Sequence, residues 1–160
     1  RLSQGHYPFK NNKVDRTRRI TTISYHFYRL KGDHFNWNGT QVSGLQGFIG
    51  TPLAYSIERD LTKMGIKIQS SPSILGNFKN LLNEKVQAIA LQDVTGDYFL
   101  RHKSGLKSIE KVSPAIKTKA YYLMLSKQFK KQHPNLSEKI WNNIKILRKK
   151  HLNNLIDNYH

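Results

Sequence analysis

One carboxylate stands at the end of an otherwise apolar segment, in the stretch EKVQAIALQDVTGDYFL at residues 84–100. The run from Val86 to Leu91 is typical of a buried strand, and it stops just before Asp93. The residues that follow, VTGDYFL, predict the start of a helix. A carboxylate at this junction can pair with a ligand ammonium, because charge-assisted hydrogen bonds are strong where water is excluded. It can also cap the helix, and the two roles can coexist.

A second candidate is the pair Gly50–Thr51, in the stretch GFIGTPLAYSIERDLTKMG at residues 47–65. Thr51 suits the N-cap of a helix and Pro52 suits its first position, while Gly65 is a natural stop. The free N–H groups and the positive dipole end of a helix attract a carboxylate or another anion. We therefore predict an anion-binding role for Gly50 and Thr51, although a plain N-cap would explain Thr51 equally well.

The elements that must position these groups alternate between strands and helices. Strands are predicted near residues 19–31, 45–50, 66–69, 86–91, 108–114 and 116–125, and helices over residues 51–64, 71–85, 94–102, 127–134 and 135–159. The alternation between residues 45 and 100 indicates a parallel α/β sheet, and ligands bind beyond the carboxyl ends of such strands. The two long strands, near 19–31 and 116–125, bracket this α/β lobe.

The last predicted helix carries an apolar stripe that has to pack outside the lobe. Its members are Leu136, Ile140, Ile144, Leu147, Leu152, Leu155 and Ile156.

The charge balance is strongly basic, with a formal net charge of +17 over 160 residues. Such a charge favours nucleic acid or an anionic membrane surface as a partner. The basic residues are, however, spread along most of the chain, and no RNA-binding aromatic signature, zinc-finger spacing or basic zipper accompanies them. We therefore do not expect nucleic acid to be the main partner. No apolar run approaches the roughly eighteen residues that a membrane-spanning helix needs.

Several kinds of enzyme site are missing from the sequence. The chain has no cysteine, which excludes disulfides, thiol catalysis and cysteine-bound metals. Its seven histidines are scattered without metal-ligand spacing, and there is no nucleophile elbow or phosphate-binding loop. We expect neither an enzyme nor a cofactor. Because the opening residues RLSQGHYPFKNN are polar and unlike a signal peptide, we expect a mature form or a fragment.

Four stretches carry a resemblance to a known family. GFIGTPLAYSIERDLTKMGIKIQ is similar to the strand, Gly-Thr and helix that open the family's second lobe, and SILGNFKNLLNEKVQAIALQD is similar to its helix, strand and acidic residue. AYYLMLSKQFKKQHPNLSEKIWNNIKILRKK is similar to the return strand and the helix-rich end, and DRTRRITTISYHFYRLKG to the stretch before the first hinge strand. In this order they resemble bacterial extracellular solute-binding proteins of family 3, the periplasmic components of amino-acid-type ABC importers.

The resemblance implies a type II periplasmic-binding-protein-like α/β fold, made of the second lobe, the hinge strands and the C-terminal helices of the first lobe. Residues 1–32 would be a remnant of lobe 1 with the first hinge strand, 33–114 would be lobe 2, and 115–160 would be the return hinge strand and the C-terminal helices. The N-terminal part of lobe 1 is absent, so we expect a fragment or a naturally short relative. An incomplete lobe 1 would expose apolar surface, which predicts self-association.

The resemblance also implies a cleft between two lobes that closes on a small solute. In the family an acidic residue at the place of Asp93 binds the ligand's α-amino group. An arginine grips the α-carboxylate bidentately, and Arg18 or Arg19 holds that place here, unless the pair is only a solvated basic turn. The chain departs from the family's pattern at Lys85 and Gln87, which replace the usual Gly and Asp.

We therefore expect a periplasmic solute-binding protein, or a fragment of one, that captures a small polar, amino-acid-like ligand for the permease of an ABC importer. Two alternatives stay open. One is a sensory input domain of the same fold, and the other is a basic domain that binds nucleic acid or an anionic surface.

Overall fold

The computed structural model describes residues 6–152, with side chains up to Lys150. In chain order the strands are β1 (Phe9–Lys10), β2 (Lys13–Val14), β3 (Thr21–Leu30), β4 (Asn36–Trp37), β5 (Val42–Ser43), β6 (Ile49–Pro52), β7 (Ile68–Ser71), β8 (Ala88–Gln92) and β9 (Ile109–Tyr121). The α-helices are α1 (Ser56–Lys63), α2 (Ile74–Leu82), α3 (Asp93–His102), α4 (Lys127–Gln132) and α5 (Pro134–Leu147). Short helical turns lie at Arg16–Arg18, Ser104–Leu106 and Arg148–Leu152.

The chain divides into two compact units. One unit is Ile23–Thr118, and the other combines the chain up to Thr22 with the chain from Lys119 onward. The polypeptide passes between them twice, through β3 and through β9. The larger unit contains the predicted α/β lobe at residues 33–114 and extends into both bracketing strands.

A five-stranded sheet in the order β7–β6–β8–β3–β9 forms the centre of the larger unit. β6 runs parallel to β7 and β8, whereas β3 runs antiparallel to β8, with Tyr25 opposite Gln92. The two long strands, β3 and β9, are neighbours in this sheet. Residues 108–114 and 116–125, predicted as two strands, are mostly one continuous strand, β9.

The central strand β8 is buried on both faces, which explains its uninterrupted apolar sequence. Ala88 and Ala90 point to one face, and Ile89 and Leu91 point to the other. The first face packs mainly against α1 and the hairpin formed by β4 and β5, and the second packs against α2 and α3. The first cluster is formed by Tyr25, Phe27, Phe35, Trp37, Ile49, Ile57, Leu61, Ile66, Ala88, Ala90 and Val112. The second is formed by Tyr28, Phe78, Leu81, Val86, Ile89, Leu91, Leu106 and Ile109.

The start of the first helix corrects a sequence prediction. Thr51 and Pro52 belong to β6, where they lie opposite Ser70 and Ser71 of β7, and α1 begins only at Ser56. Pro52 is tolerated in the strand because the pairing of β6 with β8 ends at Gly50, so the missing N–H interrupts no hydrogen bond there. The chain then turns through Ala54, whose φ is +64°. The prediction of Thr51 as N-cap and Pro52 as first helical residue is therefore wrong.

The buried face of α5 also differs from the predicted stripe. Trp141 and Ser137 are fully buried, and the indole N–H of Trp141 donates to the carbonyl of Leu123 over 3.0 Å. Leu136 and Leu147 of the stripe are 47% and 54% exposed. The indole carries the largest apolar area on the helix, so its burial decides which face turns inward. Three members of the stripe lie outside the described side chains, namely Leu152, Leu155 and Ile156.

Within residues 6–152, no helix combines the length and the apolar character that crossing a membrane would need.

Candidate functional site

Three parallel strands end at one edge of the sheet in the larger unit, and a helix follows each end. β6 ends at Pro52 ahead of α1, β7 ends at Ser71 ahead of α2, and β8 ends at Gln92 directly before α3. The first N–H groups of the three helices therefore lie at this side of the sheet. We call the ends of these strands, with the helix starts at Ser56 and Asp93, the carboxyl edge. It is the place where open α/β sheets bind ligands.

A hydrogen-bonded chain of polar side chains lies at the carboxyl edge. Gln92 Nε2 donates to Tyr25 Oη over 3.2 Å, and Tyr25 Oη lies 3.3 Å from Ser56 Oγ. Tyr25 is buried, Gln92 is half-buried and Ser56 is exposed, so the chain leads from the core to the surface. None of these three residues was predicted from the sequence to belong to the site. Tyr25 and Gln92 meet only because β3 pairs with β8, and no local pattern indicates that pairing.

Thr51 belongs to a second polar group. Its Oγ1 lies 3.4 Å from Ser70 Oγ, and the Ser70 hydroxyl donates to Glu58 Oε1 over 3.2 Å. Thr51 is fully buried in the sheet, whereas Ser70 and Glu58 are half-buried. Glu58 lies in the first turn of α1, so the helix start carries a negative side chain.

Asp93 is the first residue of α3, and Gln92 occupies the N-cap position without a capping hydrogen bond from its side chain. Asp93 Oδ1 accepts from the Val94 N–H over 2.9 Å. The Asp93 side chain therefore bonds to the backbone of the next residue. The prediction that Asp93 caps the helix is wrong, because Gln92 occupies the N-cap position. Asp93 is half-buried, and no cation within the described residues pairs with it.

Two large apolar side chains flank these polar groups at the carboxyl edge. Leu53 follows β6 and is 61% exposed, and Val94 follows Asp93 and is 73% exposed. Small-molecule sites in proteins combine apolar walls with a few placed polar groups. The carboxyl edge offers both.

A buried tyrosine fixes the helix that carries Asp93. The Tyr28 hydroxyl donates to Asp97 Oδ1 over 2.8 Å and lies 3.3 Å from the backbone carbonyl of Asp93. Asp97 also pairs with Lys111 at 2.6 Å. Burial, together with the hydrogen bond to Asp97 and the charge of that carboxylate, raises the pKa of Tyr28, so the phenol keeps its proton and acts as the donor. This contact holds the first turns of α3 against β3.

We expect Gly96→Ala to destabilise the larger unit, although Ala is normally favoured over Gly within a helix. A Cβ at Gly96 would overlap the ring of Tyr28, which is fully buried and held by its hydrogen bonds. Such overpacking typically costs about 1–3 kcal/mol of unfolding free energy, which urea denaturation measures. Gly105→Ala is the control, since nothing lies within 4 Å of a Cβ there. Equal stability of the two variants would contradict the tight contact.

Gly50 has a packing role that the sequence did not indicate. It lies in the buried strand β6, and a Cβ there would come 2.8 Å from Ile89 Cγ2 and 3.0 Å from Asn77 Oδ1. The side chains of β8 and α2 can approach β6 this closely only because Gly50 has none. Gly50 lies inside the sheet, six residues before the start of α1 at Ser56, so the helix-terminus argument for its predicted anion contact no longer applies.

We therefore predict that Gly50→Ala lowers the unfolding free energy by about 1–3 kcal/mol through overpacking. Ligand affinity of the folded variant should be unchanged, because Gly50 does not reach the carboxyl edge. Thermal unfolding and calorimetric titration of the same preparation check the two parts. A variant that keeps its stability but loses binding would show that Gly50 contacts the ligand.

The two candidate arginines lie in the other unit and have different partners. Arg18 Nη1 lies 2.6 Å from Glu138 Oε2, and its Nε lies 3.4 Å from Asp15 Oδ2. Arg19 donates from Nε to Thr22 Oγ1 over 2.8 Å and from Nη1 to a backbone carbonyl over 2.9 Å. Arg18 is thus paired with two carboxylates, whereas Arg19 donates to a hydroxyl and to a backbone carbonyl, which are both neutral.

Comparison with known proteins gives matches at the level of structure. No protein-family model and no curated protein matches the chain. An L-arginine-bound amino acid ABC transporter substrate-binding protein from Streptococcus pneumoniae is similar with a TM-score of 0.68 and 16% identity, over 88% of this chain and 58% of that one. An arginine transport system periplasmic binding protein from Legionella pneumophila is similar with a TM-score of 0.63 and 11% identity, over 86% and 60%.

The GluR0 ligand-binding core from Nostoc punctiforme, in complex with L-glutamate, is similar with a TM-score of 0.57 and 17% identity, over 82% of this chain and 62% of that one. The chain therefore spans less than two thirds of the length of these structures. At such identities the likeness concerns the fold. The chain has the type II periplasmic-binding-protein-like α/β fold, which amino-acid ABC transporter binding proteins and GluR0 ligand-binding cores also have.

Proposed function

We propose that the chain belongs to a solute-binding protein that captures a small polar, amino-acid-like ligand at the carboxyl edge. The observation that carries the proposal is Asp93. It is a half-buried carboxylate at the end of a parallel strand, and no cation among the described residues pairs with it. A carboxylate in this place is suited to a ligand ammonium, because a charge-assisted hydrogen bond gains strength when the ligand displaces water.

The groups around Asp93 suit the rest of such a ligand. Ser56 and Gln92 can donate and accept hydrogen bonds, and their chain through Tyr25 fixes their geometry. Leu53 and Val94 supply apolar surface that a ligand can cover. The similar structures that hold L-arginine and L-glutamate support an amino acid as the ligand class.

We further propose that the protein works in the periplasm and delivers its ligand to the permease of an ABC importer. The likeness to a periplasmic binding protein from Legionella pneumophila supports this location, and the likeness to an ABC transporter substrate-binding protein from Streptococcus pneumoniae supports the partner. Genes for a permease and an ATPase beside this one would support it, and their absence would count against it.

Calorimetric titration with a panel of L-amino acids tests the proposed function. Each amino acid is compared with the 2-oxo acid that has the same side chain but no ammonium. We expect one or more amino acids to bind and the matching 2-oxo acids to bind at least about tenfold more weakly, since a charged hydrogen bond contributes about 1.5–3 kcal/mol. Equal binding of both compounds would contradict recognition of the ammonium, and no binding by any amino acid would contradict the function.

The resemblance also assigns an arginine to the ligand's α-carboxylate, and the contacts favour Arg19 over Arg18. We expect Arg19→Ala to weaken amino-acid binding about tenfold or more with little change in thermal stability. Arg18→Ala should instead lower the melting temperature, because Glu138 and Asp15 lose their shared partner. Titration and thermal unfolding of both variants distinguish the two roles, and a loss of affinity in Arg18→Ala alone would reverse the assignment.

A second candidate is a sensory input domain of the same fold, which the likeness to the GluR0 ligand-binding core favours. It would use the same carboxyl edge and the same ligand class. A gene product that joins this chain to a membrane segment and a kinase module would favour the sensory role over transport.

A further inference from the structure

An apolar groove with a basic rim lies on the larger unit and shares no lining residue with the carboxyl edge. It has a volume of about 320 Å³ and runs between α2 and the turn that follows α3. Phe78 and Leu106 form a buried floor, whereas Leu75 and Leu82 are 43% and 37% exposed. Leu75, Phe78 and Leu82 follow the i, i+3, i+7 spacing of one helix face. We call these side chains, with Lys79 and Lys103, the α2 groove.

The rim of the α2 groove carries only positive charge. Lys79 and Lys103 are exposed lining residues, and no Asp or Glu lines the groove. Neither lysine belongs to an ion pair within the described part of the chain. His102 also lines the rim, and its ring stacks on Tyr98 with the ring centroids 4.3 Å apart.

We propose that the α2 groove is a docking site for an acidic, leucine-rich helical segment of a partner protein. Exposed leucines over a concave apolar floor match the way in which a groove receives the apolar face of a helix. The uncompensated lysines on the rim complement carboxylates on the flanks of that helix. The concave shape favours a protein segment over a lipid surface, which would meet a flat or convex apolar face.

The proposal is independent of the ligand, because the α2 groove and the carboxyl edge share no residue. If no amino acid binds at the carboxyl edge, the proposed docking site is unaffected. If no peptide binds in the α2 groove, the proposed solute-binding function is unaffected.

Fluorescence anisotropy with a labelled helical peptide of leucine and glutamate tests the docking site. A matched peptide with lysine in place of glutamate and vesicles of phosphatidylglycerol and phosphatidylcholine serve as competing probes. We expect the glutamate peptide to bind and the lysine peptide to bind at least about tenfold more weakly, because the rim would repel it. Binding of the glutamate peptide should also weaken with added salt.

The variants Leu75→Ser and Lys103→Glu should each weaken peptide binding about tenfold or more. Met64→Ser and Lys67→Glu are matched controls, since both residues are exposed on the same unit and neither lines the groove. The proposal is overturned if the glutamate peptide does not bind, if the controls lose as much affinity as the groove variants, or if only the anionic vesicles bind.

Discussion

Asp93→Asn is expected to weaken amino-acid binding by about thirtyfold or more while leaving the stability of the chain almost unchanged. Truncating one partner of a buried, charged hydrogen bond costs about 2–5 kcal/mol, and about 1.4 kcal/mol corresponds to tenfold in affinity. Asparagine keeps an oxygen that can accept from the Val94 N–H, so the start of α3 retains its local hydrogen bond. Calorimetric titration and thermal unfolding of the variant measure the two quantities.

Asp97→Asn is a matched control on the same helix. Asp97 accepts from the buried Tyr28 and pairs with Lys111, so its substitution should lower the melting temperature more than it lowers affinity. The two variants remove the same charge one helical turn apart and should give opposite results. If Asp93→Asn binds as tightly as the unsubstituted chain, Asp93 has only a structural role at the start of α3.

Trp141→Ala is expected to cause the largest loss of stability, about 3–5 kcal/mol of unfolding free energy. The side chain is fully buried, and its removal leaves a cavity and an unpaired carbonyl at Leu123. Chemical denaturation followed by circular dichroism measures the loss.

Leu136→Ala is the matched control, because Leu136 lies on the same helix but is 47% exposed. It should cost less than about 1 kcal/mol, since much of its area is already in contact with water. The apolar stripe read from the sequence predicts a large effect at Leu136 as well. Equal losses in the two variants would show that the stripe, and not the face of Trp141, is buried.

The position of Asp93 at the junction of a buried strand and a helix could be predicted from the sequence, because the signal was local. An apolar run that is buried on both faces has to end abruptly, and the carboxylate after Gln92 marks that end. Gly50 and Thr51 show the opposite case. Thr followed by Pro matches a helix start, but pairing with Ser70 and Ser71 of β7 extends the strand and delays α1 to Ser56. A nonlocal strand pairing thus overrode a local preference.

Nonlocal pairing also explains what the sequence analysis missed. Tyr25 and Gln92 come together through the antiparallel register of β3 and β8. Ser56 joins them at the start of α1, four residues after the predicted first helical residue, Pro52. The buried face of α5 depends on side-chain size and on a hydrogen bond, which helical spacing does not report. Helical spacing predicted one apolar stripe that left out Trp141, whereas the size of the indole and its hydrogen bond to Leu123 decide which face is buried.

NMR mapping of backbone amide shifts during titration with L-arginine and L-glutamate tests amino-acid binding at the carboxyl edge, because it locates the ligand without assuming a residue. We expect the largest changes at the carboxyl edge, at Ser56, Gln92, Asp93 and Val94, and we expect Asp93→Asn to need about thirtyfold or more amino acid to produce them. Changes confined to the α2 groove, or an amino acid that binds without perturbing the carboxyl edge, would contradict ligand binding at Asp93.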